Sequence, residues 1–279
     1  MKAVNFKQKT VHRTLMFGAP KSGKTAAALK LAEHYNVLVI SVENGLSVML
    51  NPEIGLSQTA LEHIEVVDIP DTKDYPVGAE TCYKLVSWKP MKICDTHGKV
   101  NCQVCAKETT STYTELDFSK MDDSWIIVID SLTQLSTSVM AMIMKARGAN
   151  SYDEKATFND YGQQGAWLDH WLTAIQNCPF NIVVISHEKG IEGEDGKEKL
   201  TAVGGTSNFS RTLPRYFDHV VYTELVNKKH QMGSSTSYKM NVATGSRTGA
   251  VTEKVTTDNP LLAIYKEYRE YEKVEEVQV

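Results

Sequence analysis

The sequence predicts an α/β protein with a mainly parallel sheet, helices on both faces, an antiparallel C-terminal edge and a small Cys-rich insertion. Three observations carry this. From residue 13 to 186, short apolar β-branched runs alternate with helical segments, the pattern of a parallel sheet covered on both sides. After residue 219, strand-like runs follow closely without helices between them, which adds an antiparallel edge. Residues 89–123 break the alternation: they are polar, rich in Thr and Lys, and hold three of the five cysteines.

The elements follow in order. RTLMF (13–17) is a short strand, and 24 to about 34, rich in Ala, Leu and Lys, is a helix. VLVIS (37–41), bounded by Asn36 and Asn44, is a buried strand, and HIEVVDI (63–69) is another. A helix over 78–88 ends before Lys89-Pro90. WIIVID (125–130) is the most apolar strand; 132–146 and a segment near 160–177 are helices. NIVVIS (181–186) is again a buried strand. Residues 187–212 hold five glycines (190, 193, 196, 204, 205) and no apolar run, so they form a mobile loop or hairpin. HVVYTELV (219–226), SYKMNVAT (237–244) and VTEKVTT (251–257) are expected strands of a meander. The chain reads as one domain over 1–279, with 89–123 inserted. A C-terminal helical stretch (257–279) is acidic at Glu267, Glu270, Glu272, Glu275 and Glu276.

Composition excludes several classes. With 42% hydrophobic and 23% charged residues, the chain is neither fibrous nor wholly disordered. No apolar run is long enough for a transmembrane helix. MKAVNFKQKT has no apolar run behind its basic residues, so no secretory signal is expected and the cytoplasm is the expected compartment. The net charge of −4 excludes a global basic field for nucleic acid. An odd cysteine count without a signal argues against a disulfide framework.

Residues 18–25, GAPKSGKT, match G-x-x-x-x-G-K-[ST] between a strand and a helix. Gly18 and Gly23 let the backbone turn close to phosphates. The N–H groups of Ala19, Pro20-Lys21, Ser22 and the helix start through Ala26 offer partial positive charge to an anion; Pro20 itself has no N–H. Lys24 is placed to reach the β- and γ-phosphates, and the Thr25 hydroxyl to bind Mg²⁺. A chance match in a Gly-rich turn is the alternative, and the strand–helix context argues against it.

Such a loop needs a carboxylate near the metal at the end of a buried strand. Asp130, after four apolar residues, fits; capping of the next helix is its other reading. Glu43 follows the second strand, and strand ends on the carboxyl side of a parallel sheet converge on one crevice. It is therefore the candidate group for activating water, against a solvated loop Glu. His187 follows NIVVIS in the same way and is a candidate γ-phosphate sensor, against a satisfied strand-end His.

The order GAPKSGKT, Glu43, IIVIDS with Asp130, Ser186-His187, the Gly204-Gly205 loop and PRYFDHVVYTEL resembles the RecA-like recombinase ATPase core over roughly 13–250. It looks most like the short phage nucleotide-binding or single-strand-annealing ATPases of that family. The polar strand-end residue of that pattern is commonly Gln; here it is His187. The resemblance implies a DNA-stimulated, Mg²⁺-dependent ATPase in recombination, a ring or filament with ATP between subunits, and loops that bind single-stranded DNA. A single-strand-binding protein or another phage replication or recombination protein is an implied partner, and the host cytoplasm the implied compartment. By position, 188–211 matches the second DNA loop, with Lys189, Lys199, Gly204, Gly205 and Arg211 as candidate contacts. Its lysines and arginine, Lys197 included, face Glu188, Glu192, Glu194, Asp195 and Glu198, so it is not a basic loop. The first-loop region offers Lys145, Arg147 and Lys155, and a solvated surface accounts for those charges equally well. Arg247 and Lys254 lie where the resembled proteins carry residues that reach a neighbour's γ-phosphate. Arg247 is the candidate finger in trans, its alternative being a surface turn Arg.

In the insertion, CDTHGKVNCQVC gives C-x2-H-x4-C-x2-C. Cys94, His97, Cys102 and Cys105 are four ligands suited to a tetrahedral, structural Zn²⁺. Free thiols in a polar loop are the alternative, and they leave the recurrence of a usually buried residue unexplained. Cys82 and Cys178 read as core residues. Three functions remain: a DNA-directed ATPase, a P-loop ATPase acting on a protein such as a helicase loader or packaging accessory, and a nucleotide-binding module with little turnover.

Overall fold

The computed structural model describes residues 11–43, 45–72, 75–149, 154–192, 196, 198–233, 242, 244–247, 261, 262, 264 and 265. The strand β1 (Arg13–Gly18) enters α1 (Lys24–Leu29), which tightens into a 3₁₀ turn over Lys30–Glu33. There follow β2 (Asn36–Ser41), α2 (Gln58–Glu62), β3 (Ile64–Asp68) and α3 (Val77–Leu85). A separate two-stranded sheet pairs β4 (Met91–Cys94) with β5 (Tyr113–Leu116). Then come β6 (Trp125–Asp130), α4 (Leu132–Ala146), α5 (Phe158–Ile175), β7 (Asn181–Glu192), β8 (Glu198–Ala202), α6 (Ser207–Thr212), β9 (His219–Val226), β10 (Lys229–Gly233) and β11 (Gly245–Ser246).

The main sheet runs β10-β9-β1-β7-β6-β2-β3. From β9 to β3 all neighbours are parallel; β10 and β11 are antiparallel to β9. The antiparallel edge therefore begins one strand later than the meander predicts, because β9 pairs with β1 in parallel register.

Alternation along the strands divides the core. Leu15, Phe17, Leu38, Ile40, Ile127, Ile129, Ile182 and Val184 face α3, α4 and α5. Met16, Val37, Val39, Ile126, Val128, Val183 and Ile185 face α1 and α2, together with Leu261, Ile264 and Tyr265. Side chains that alternate while both faces are buried are what a doubly covered sheet requires. The start of the C-terminal helix docks on β1, where the Tyr265 hydroxyl lies 2.8 Å from Thr14 Oγ1.

Local chemistry accounts for the boundaries. Thr157 and Asp160 form a reciprocal capping box at α5, a device typically contributing about 1 kcal/mol. The helix expected over 78–88 stops at Leu85, and Trp88 takes a positive φ before Pro90. The polar stretch 187–212 is a hairpin plus a helix: β7 continues six residues beyond Ser186 and pairs with β8. Asn227 and Lys228, at φ 51° and 62°, form the two-residue turn between β9 and β10, the mirror-image turn that matches strand twist. Most of 237–244, and all of 251–257 with Lys254, lie outside the described residues. So do Lys197, Glu194, Asp195 and the acidic positions 267–276.

Candidate functional site

The carboxyl ends of β1, β7, β6 and β2 converge on a cleft of about 470 Å³ lined by Lys24, Thr25, Glu43, Asp130, His187 and His230, among others. Lys24, buried at the start of α1, donates to the carbonyls of Gly18 at 3.0 Å and Ala19 at 2.8 Å. Burial lowers the affinity of its amine for a proton, and the charges of Asp130, Glu43 and Glu188 oppose that shift. The loop amine is thus held by weak acceptors that an anion can replace.

Thr25 donates its hydroxyl to Asp130 Oδ2 at 2.6 Å. Burial raises the Asp130 pKa, the Thr25 bond opposes this, and the Glu43 charge adds to it. Glu43 sits beyond β2, where Val42 N–H donates to the Asp130 carbonyl at 2.6 Å. Its carboxylate accepts from the Ser131 hydroxyl and stands 3.3 Å from His187 Nε2. His187 N–H in turn donates to Thr133 Oγ1 at 2.8 Å. The fold brings Lys24, Thr25, Asp130, Glu43 and His187 together as one cluster. Two buried atoms there, His187 Nδ1 and Glu188 Oε2, have no hydrogen-bond partner among the described residues, and neither does Gln231 Oε1 on β10.

His230 is a cleft residue that the sequence reading missed. Its Nδ1 donates to the Ser22 carbonyl at 2.9 Å, and the ring occupies the space a side chain on Gly23 would need. Ser22 Oγ also bonds Thr223 Oγ1 of β9 at 2.7 Å, so the β9–β10 hairpin is laced to the phosphate loop. The one signal that could have found it was the turn-forming Asn227 directly after the strand-like run HVVYTELV. The far wall is Val48, Asn51, Glu53 and Ile54, from 3₁₀ turns after Glu43.

The other predicted residues are dispersed. Lys189 and Lys199 lie on the β7–β8 hairpin. Arg211 donates to the Glu192 carbonyl at 2.6 Å, steadying that hairpin. The Gly204 N–H is committed to Ser210 Oγ at 3.1 Å, so this amide is not open to a phosphate, and Gly205 packs on Leu168 and Gln164. Arg147 is engaged by Asp160 and Glu154. Arg247 is at the opposite, amino edge of the sheet, 3.7 Å from Asp218 and donating to the Arg215 carbonyl at 2.7 Å.

In the insertion, one ligand atom each from Cys94, His97, Cys102 and Cys105 lies within 4.8 Å of the others. Bonds of about 2.3 Å to sulfur and 2.0–2.1 Å to nitrogen at a tetrahedral ion set S···N near 3.6 Å. His97 Nδ1 is 3.9, 3.6 and 3.2 Å from the sulfurs of Cys94, Cys102 and Cys105. Burial raises the Cys102 thiol pKa, but the N–H groups of Cys105 and Val104 and the thiols of Cys94 and Cys105 outweigh this and bring it to about 7. The donor set fits Zn²⁺. Cys82 and Cys178 are buried, as expected.

Fold and cleft together define a P-loop ATPase domain, with nucleotide and Mg²⁺ as its ligands. The family model described as AAA domain matches residues 11–253, and the chain belongs to that family. Among solved structures, the chain is similar to a prototypical ATPase from the type III secretion system of pathogenic bacteria. That match has 10% identity and a TM-score of 0.46 over 91% of this chain and 62% of the other. It is also similar to the assembled ATPase EscN from the enteropathogenic E. coli type III secretion system, at 12% identity and a TM-score of 0.44 over 96% and 56%. The chain thus spans about three fifths of the length of these solved chains. No curated protein matches the sequence. Among the described residues, no helix is long and apolar enough to cross a membrane.

Proposed function

We propose that this protein is a RecA-like, DNA-stimulated ATPase that assembles into a ring or filament on single-stranded DNA, in phage annealing or strand exchange. The observation that carries this reading is the continuity of β7. One unbroken strand bears His187 in the cleft and Lys189 on the outer hairpin, so a change at the nucleotide has a direct path to the candidate DNA contacts. In this reading the domain spans 1–279 and Cys94, His97, Cys102 and Cys105 hold a structural Zn²⁺.

The residues divide the work. Loop N–H groups and Lys24 bind the phosphates, with Lys24 exchanging its carbonyl partners for phosphate oxygens. Thr25 and Asp130 would hold Mg²⁺, which when bound would supply charge neutralisation at the phosphates. Glu43 accepts a proton from the attacking water, held in place by Ser131. His187, within reach of Glu43, reports the γ-phosphate to the hairpin. Arg247, on the edge away from its own cleft, serves only a neighbouring protomer's nucleotide.

The test is ATP hydrolysis with and without single-stranded DNA, at low and moderate salt. Strong stimulation that fades with salt is expected. A second reading, a helicase loader or packaging accessory acting on protein, is favoured by one observation: Arg147 and Arg211 are already engaged within the chain. Turnover without DNA stimulation would select it, and bound ATP without turnover would select a regulatory module.

A further inference from the structure

Of the four residues between His97 and Cys102, Gly98 and Val100 are buried, Lys99 is half-buried and Asn101 is exposed. Gly98 sits at φ 61° against the end of β3, where a Cβ would lie 2.9 Å from Ile69 Cγ2. Its carbonyl accepts the Thr81 hydroxyl of α3 at 2.7 Å. Lys99 Nζ stands 3.4 Å over the Tyr75 ring. Val100, with Ile93 of β4, belongs to the large core cluster beneath α3 and α4. Asn101 turns the chain at φ 55° and returns its N–H to the Lys92 carbonyl at 3.4 Å. A finger built to grip a partner would turn this span outward.

The same helix leans on the catalytic cluster. Gly78, at the start of α3, approaches Val42 so closely that a Cβ would lie 2.5 Å from Val42 Cγ1. Val42 precedes Glu43 and is itself bonded to Asp130. Ala79 N–H donates to Ser138 Oγ at 2.8 Å, and that hydroxyl donates to Asp71 Oδ1 at 2.8 Å, which ties α3 to α4. The N-cap of α4 is Ser131, the residue that donates to Glu43.

We propose that zinc in the Cys94–His97–Cys102–Cys105 tetrad is a positioning centre for ATP hydrolysis. It fixes residues 98–101 against α3, α3 fixes Gly78 against Val42, and this sets the carboxylate of Glu43. The proposal rests on the reading of the tetrad as a zinc site. The physical need is clear. Among the described residues only Tyr113 packs against the tetrad as a partly buried apolar neighbour, so ligation adds to the backbone bonds that Gly98, Lys99 and Asn101 make with β4 in holding the two ends of the 98–101 span together. A displacement of about 1 Å at a reacting group can cost on the order of 10²-fold in rate, so a soft contact at Gly78 is enough to matter.

The experiment uses the full chain. Zinc content is measured by inductively coupled plasma mass spectrometry, nucleotide affinity with a fluorescent ADP, and kcat for ATP at saturating substrate. The variants are Cys102→Ser, Thr81→Val and Val104→Ser. Wild type is expected to carry about one zinc. Cys102→Ser should lose it and drop kcat roughly tenfold or more, with ADP affinity nearly unchanged. Thr81→Val removes the latch on Gly98 but leaves the tetrad, so it should keep zinc and still lower kcat. Val104→Ser, at an exposed position of the C-x2-C turn, should change neither. If Cys102→Ser does not fold, Thr81→Val and chelation of the wild type carry the test. A metal-free wild type overturns the zinc reading itself. Zinc present, with kcat unaffected by both Cys102→Ser and Thr81→Val, overturns the coupling alone. So does loss of DNA stimulation with basal kcat intact, which makes the insertion a DNA contact.

Discussion

The two ends of the main sheet differ sharply in how their buried polar groups are satisfied. At the carboxyl end, Lys24 is held by two carbonyls of its own loop, Asp130 is buried beside Glu43, and His187 Nδ1 and Glu188 Oε2 lack partners among the described residues. At the amino end, Arg13 is equally buried, yet its guanidinium donates to the carbonyls of Val11, Cys178 and Ile175, and its N–H bonds Asp218. His12, His219 and Ser246 bond one another in series there. One end is built to be completed by a ligand, and the other is complete. Buried polar groups left unsatisfied cost stability, and a folded chain keeps that cost where a function needs it.

This contrast can be broken in several ways, from the largest effect downward. Lys24→Ala should lower turnover by about 10³-fold or more while leaving the melting temperature unchanged or raised; unchanged hydrolysis would sink the phosphate-loop role. Glu43→Gln keeps an acceptor for Ser131 but removes the base. It should retain bound ATP and slow hydrolysis by about 10²–10⁴-fold, read by single-turnover kinetics. Arg13→Leu should reverse the pattern, losing about 3 kcal/mol of stability with kcat per folded molecule intact; a denaturant titration beside a rate assay decides.

The amino end also carries a pH signature. Burial, helped by the neighbouring His12, lowers the His219 pKa to about 4, and burial lowers that of His12 as well. The unfolded chain, with histidines near 6.5, therefore binds more protons than the folded one between about pH 6.5 and 4. Stability should be full above that window and fall by roughly 1–3 kcal/mol as pH drops through it. Thermal melts at pH 7 and 4.5 test this, and His219→Asn should flatten the dependence. The smallest expected change is at His230. His230→Ala removes one bond to the loop and should weaken ATP binding by about 2–10-fold at constant melting temperature; no change in affinity would leave the hairpin a bystander.

The sequence made the nucleotide cleft legible because each of its residues is tied to a strand end. Asp130 and His187 end apolar runs, Glu43 follows one, and strand ends in a parallel sheet meet at one edge. His230 was hidden because it belongs to β10, a run of KHQMG whose strand character comes only from pairing with β9. For 187–212 the sequence offered a loop or a hairpin without deciding between them, since HEKGIE acquires strand form only by pairing with β8. Spacing alone proposed the Cys94–Cys105 tetrad, but no pattern could reveal that Gly98 and Val100 turn inward. That depends on Ile69, Tyr75 and Thr81, which are distant in sequence from one another's partners.

The length of β7 has a mechanical consequence. From His187 to Glu192 the strand makes five residue-to-residue steps, about 16 Å at roughly 3.3 Å each. Braced by β8 and by Arg211, it has the geometry of a lever with its fulcrum at the cleft. A tilt of about 10° at the histidine sweeps the hairpin tip by roughly 3 Å, enough to make or break a contact with whatever lies beyond it.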